Sequence, residues 1–70
     1  MTITSNFTVS GMTCNHCVMS VTEEVSEVPG VTAVDVDLAS GRMTVTSDTP
    51  VDAQQIRTAV TEAGYQVTDG

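Results

Sequence analysis

Three observations predict an α+β sandwich, with two helices covering one face of a four-stranded antiparallel sheet. Apolar residues recur at every second position in four stretches. In two others they recur at three- and four-residue spacing. The six stretches run strand, helix, strand, strand, helix, strand, which is the order of a split βαβ, ferredoxin-like βαββαβ chain.

Each element has a local cause. Ile3 to Ser10 alternates, with Phe7 and Val9 on one side and Thr8 and Ser10 on the other, as a half-buried strand does. Gly11-Met12-Thr13 breaks the alternation as a loop. From about Asn15 to Val28 the period changes. Val18, Val21, Val25 and Val28 make one helical stripe, while Ser20, Glu23, Glu24, Ser26 and Glu27 occupy the other faces. Valine is a mediocre helix former, so this helix depends on packing its stripe. Pro29-Gly30 stops it.

Val31 to Leu38 alternates again, with Val34, Val36 and Leu38 inward and Asp35 and Asp37 outward. Ala39-Ser40-Gly41-Arg42 holds a turn, and Met43 and Val45 alternate with Thr44 and Thr46 as the returning strand of a hairpin. Ser47-Asp48-Thr49-Pro50 is a loop. Asp52 followed by Gln55 resembles a capping box and starts a second helix near Ala53. Ile56, Ala59, Val60 and Ala63 form its stripe, Gly64 ends it, and Tyr65 to Thr68 reads as a short last strand.

Residues 1–70 form a single domain, and a chain of this length buries only about 60% of its unfolded surface. A Cys14–Cys17 disulfide would close a very short loop and stabilise little, so the fold rests on its apolar core. Nine acidic residues face two arginines, Arg42 and Arg57, and no lysine, for a net charge of −7. That balance argues against nucleic acid and against an anionic membrane surface, both of which attract cations. It suits a partner protein with a basic or neutral docking face. The N-terminus lacks a basic stretch followed by an apolar run, and nothing approaches the ~20 apolar residues of a membrane helix. The expected location is therefore the cytoplasm, where thiols stay reduced. The start at Met1 and the lack of a linker lead us to expect a free-standing protein.

Chemistry concentrates in Gly11-Met12-Thr13-Cys14-Asn15-His16-Cys17, which holds both cysteines of the chain. Two thiolates three positions apart can grip one soft ion such as Cu(I), but they fall short of the four ligands of a structural zinc site. Cys14 stands just before the first helix and Cys17 in its first turn, where the helix N-terminus favours a thiolate. We expect helix N–H groups, with His16, to lower the thiol pKa values. Cu(I) held by two thiolates is unsaturated, so an incoming thiolate can add before an original one leaves. The pattern reads as a carrier site that must also let go.

This loop, set between a strand and a helix of a βαββαβ chain, resembles the heavy-metal-associated domain family. The resemblance spans Phe7 through Val67, and within the family the chain is similar to the small bacterial copper chaperones. It implies Cu(I) bound by Cys14 and Cys17, delivery to the metal-binding domain of a copper-transporting P-type ATPase, and no enzymatic activity. It also implies that Met12 is a buried prop more than a ligand, and that the loop carrying Tyr65 approaches the metal loop. Met12, His16 and Tyr65 are the auxiliary candidates. Tyr65 could shield the ion or donate to a thiolate, or it could be an edge-of-core aromatic. His16 is a third ligand, a ligand between two molecules, a pKa tuner or a solvated loop residue. Met19 and Met43 read as surface or core packing.

Glu23, Glu24 and Glu27 make either a solvated face or a docking surface. Glu23 and Glu27 are like charges one turn apart, a mildly destabilising arrangement. Excess copper could bridge two molecules through their exposed thiolates. Rival readings are a carrier of zinc, mercury or silver, and a thiol–disulfide oxidoreductase. Against the latter, the element order differs from a thioredoxin fold, no Trp precedes Cys14, and neither Pro29 nor Pro50 suits an active-site cis-proline.

Overall fold

The computed structural model describes residues 2–68. Its elements are β1 (Ile3–Ser10), α1 (Asn15–Ser26), β2 (Val31–Asp37), β3 (Arg42–Ser47), α2 (Ala53–Glu62) and β4 (Gln66–Val67). The strands form one sheet in the order β2-β3-β1-β4, and every pairing is antiparallel. This is the predicted ferredoxin-like sandwich. α1 packs on β2, α2 on β4, and the helices on each other.

Register aligns the inward faces. Phe7 lies opposite Met43, and Met43 opposite Val36. Val9 lies opposite Val67. The core is built from Phe7, Val9, Met43 and Val45 of the sheet and Val21, Val25, Val28, Ile56, Ala59 and Val60 of the helical layer. Three fully buried valines, an isoleucine and a methionine are worth about 1.5–3 kcal/mol each, and two of those valines, Val21 and Val25, hold α1 in place although valine is a poor helix former. The opposite face of the sheet is polar, and there Thr44 donates to the Asn6 side chain across the strands. No buried side-chain polar atom among the described residues lacks a partner.

Three details depart from the sequence expectation. β2 carries a bulge between Val31 and Ala33, which resets its register so that Val34 and Val36 meet β3 on the inner side. As an edge strand it leaves both valines only half-buried. Ser47 belongs to β3 instead of the following loop; it pairs with Ile3 and Val31 and is buried. At the start of α2, the Asp52 carboxylate accepts from the Gln54 N–H at 2.9 Å, one position earlier than a capping box requires.

Candidate metal-binding site

The loop between β1 and α1 turns on Gly11, whose φ of +93° is a conformation that residues with a Cβ rarely adopt. Cys14 is the extended N-cap of α1. Its carbonyl accepts from the N–H groups of Cys17 and Val18, at 3.1 and 3.3 Å, while its side chain makes no cap bond. The thiol is thereby left outside the helix, exposed to solvent. Cys17 follows in the first turn and is half-buried. Both cysteines are free, and their sulfurs stand 3.5 Å apart.

Tyr65 reaches this loop because of how α2 ends. Gly64, with φ of +96°, donates to the Thr61 carbonyl at 2.9 Å, and Tyr65 N–H donates to the Val60 carbonyl at 3.1 Å. These two bonds form a Schellman motif, which reverses the chain and starts β4 only at Gln66. The half-buried Tyr65 packs against the core and puts its ring beside Gly11.

The Cys17 thiol is pulled from 9.0 down to about 6. The largest cause is the Thr13 backbone N–H, followed by the Tyr65 hydroxyl and the Cys14 thiol, all donating to the thiolate. Slight desolvation opposes them, and the Thr13 hydroxyl, 3.8 Å from the sulfur, assists. Tyr65 is raised in turn, chiefly because its hydroxyl is held by Cys17. His16 is not among the groups that lower Cys17; it is exposed on the outside of the turn, its carbonyl accepting from Ser20. Met12 is half-buried and packs against the core.

Thr13 is the contributor that sequence reasoning passed over. Its main contribution, the backbone N–H, leaves no mark in the sequence; only the lesser one, a hydroxyl four positions before a cysteine at a helix start, has a sequence signal. Of the acidic residues, Glu24 and Glu27 meet Glu62 of α2 along a groove of about 240 Å³ between the helices, which also borders Val28 and Ala59. This groove lies toward the C-terminal end of α1, away from the thiols. No helix of the described residues is long and apolar enough to cross a membrane.

Comparison with known proteins agrees with this geometry. The chain is 42% identical over 60 residues to "Copper chaperone CopZ" of Bacillus subtilis, covering 84% of this chain and 87% of that one. It is 40% identical over 63 residues to "Copper-transporting ATPase 2" of Rhizobium meliloti, but spans only 8% of that protein's length. Among solved structures, "CopZ metallochaperone" superposes with a TM-score of 0.89 at 33% identity, over 94% of this chain and all of the other. Oxidized MerP from Ralstonia metallidurans CH34 gives 0.86 at 35% identity, over 97% of this chain and 96% of the other. The model of one family, the heavy-metal-associated domain, matches residues 6–66, and to that family the chain belongs.

Proposed function

We propose that this protein is a cytoplasmic copper chaperone, which binds Cu(I) between Cys14 and Cys17 and passes it to the metal-binding domain of a copper-transporting P-type ATPase. The observation that carries the reading is the pair of free, accessible sulfurs 3.5 Å apart at a helix start. Relatives named as copper chaperones, and a copper-transporting ATPase that contains a similar stretch, support it. The protein carries metal and catalyses nothing.

Near-linear coordination puts the two sulfurs on opposite sides of the ion and farther apart than 3.5 Å, so the pair opens on loading. The exposed Cys14 side chain, unconstrained by a cap bond, is the one to swing. Cys17 is already largely thiolate at neutral pH and makes the first bond, and Cys14 closes the chelate. The resulting complex carries −1: one positive ion and two thiolates. Transfer begins when a partner thiolate adds as third ligand. One original sulfur then leaves and the second partner thiolate replaces the other, so copper is never free and its oxidation state does not change. Tyr65 steadies the thiolate and limits water at the ion. His16 is placed to contact a partner or, at high copper, a second molecule of this chain sharing the ion.

The decisive test is a competition titration of reduced protein with Cu(I) and Zn(II) against chelators. Tight 1:1 Cu(I) binding that displaces zinc, and that disappears in a Cys14→Ser/Cys17→Ser variant, is the expected result. Retention of native affinity in that variant would reject the ligand assignment. The two free sulfurs suit other soft ions as well, which supports a second reading, a mercury carrier using the same pair. Preference for Hg(II) in intact cells, with copper tolerance unaffected by deletion, would favour it.

A further inference from the structure

The soft donor groups of this chain are not scattered. Its only cysteines and only histidine lie at positions 14, 16 and 17, and Met12 and Met19 flank them. Of the other methionines, Met43 is fully buried in the core and Met1 lies outside the described residues. Met19 is the one large hydrophobic side chain that is exposed among the described residues, at 56%. A thioether on the surface contributes little to this core, whereas the same group is a good ligand for soft ions.

Geometry brings Met19 to His16. The two are three positions apart on α1 and so lie on neighbouring rows of one face, with Cβ atoms ~5–6 Å apart. Long side chains in helices lean toward the N-terminus and cover the preceding turn. A Met19 thioether that leans this way covers the turn that holds His16, at the N-terminal end of α1. His16 is exposed, and the bond from Ser20 Oγ engages only its backbone carbonyl. One thioether and one imidazole can close on a single two-coordinate ion without disturbing the helix, at the same end of the molecule as the cysteines.

We propose that His16 and Met19 form a second, weaker soft-metal site that holds a monovalent d10 ion at the same end of α1 as the cysteine pair. Neither donor must lose a thiol proton to bind. The site takes an ion without the thiolates and yields it to them, because two thiolates bind soft ions more tightly than a neutral thioether and imidazole. It would serve as a landing point for incoming copper and as added capacity once the cysteines are occupied. The inference rests on the soft-metal reading of the loop.

The test uses Ag(I) as a redox-inert probe and NMR of the Met methyl groups and the His ring. The Cys14→Ser/Cys17→Ser variant changes only exposed or half-exposed side chains, so it keeps the fold, and its amide spectrum checks this. We expect the Met19 methyl and the His16 ring to shift together and saturate at one Ag(I). Adding Met19→Leu, which keeps the apolar bulk and removes the sulfur, or His16→Ala should weaken uptake by roughly tenfold or more. Met19 and His16 signals that stay in place, or uptake that survives both substitutions, overturns the proposal. Tight uptake by the native protein is measured alongside and tests the cysteine site separately, so failure of one reading does not mask the other.

Discussion

The ring of Tyr65 lies against the backbone of Gly11: a Cβ at Gly11 would stand 3.3 Å from Tyr65 Cδ1. The two loops of the site thus meet at a position where only hydrogen fits without adjustment. Gly11→Ala adds a Cβ at a positive φ and presses on the ring at once. We expect a loss of about 1–2 kcal/mol in stability, measured by urea unfolding, with a rise in the Cys17 pKa as the Tyr65 hydroxyl is displaced.

Tyr65→Phe separates the hydroxyl from the ring. The ring still packs on the core and on Gly11, so stability should change little. The thiolate loses its second-ranked donor, so the pH midpoint for alkylation of Cys17 should move up from about 6. An unchanged midpoint would leave the Thr13 N–H and Cys14 as sufficient causes.

The sign of the pH dependence follows from the same shift. Cys17 holds its proton less tightly folded, at about 6, than unfolded, at 9.0, so the unfolded state binds more protons between those values. Its contribution to the stability of the metal-free protein is full above pH 9, falls as pH drops toward 6, and is absent below. Tyr65, raised in the fold, works oppositely and loses its contribution once pH passes 10. Urea midpoints of native protein and Cys17→Ser, compared from pH 5 to 9, should diverge as pH rises.

Asp52→Ala removes the α2 cap. It should cost ~1 kcal/mol and leave Cu(I) affinity untouched, because the cap is at the end of α2 remote from Tyr65. Chemical denaturation and the chelator competition measure the two effects independently.

Reversing Glu23 and Glu24 to Lys tests the acidic face. Intrinsic Cu(I) affinity should hold, while transfer to a copper ATPase domain at low salt should slow by ~10-fold and lose much of its salt dependence. Unaltered transfer kinetics would assign these residues to a solvated face.

Periodicity made the skeleton legible. β1 was readable from Ile3 to Ser10 because its inner residues strictly alternate, and the inner stripe of α2 because Ile56, Ala59 and Val60 are all buried. The bulge at β2 was not readable, since one inserted residue leaves no mark in a run of valine, threonine and alanine. Tyr65 was read as a strand residue. Its backbone N–H instead closes the α2 cap, a preference for bonding that hydrophobic alternation does not report. At the site, the cysteines were evident from spacing, but the origin of the Cys17 shift was not. Backbone direction at Thr13 and the approach of a loop some fifty residues away decide it, whereas helix N–H groups and His16 had been expected to.

Because β1 starts at Ile3 and runs about 26 Å before the metal loop, anything joined ahead of it leaves from the pole opposite the thiols, in a body 33 Å long. A tether on that pole leaves the thiol-bearing end facing away from the point of attachment. The same unit can then work untethered or strung on a longer chain, with no change to the loop that carries the two thiols.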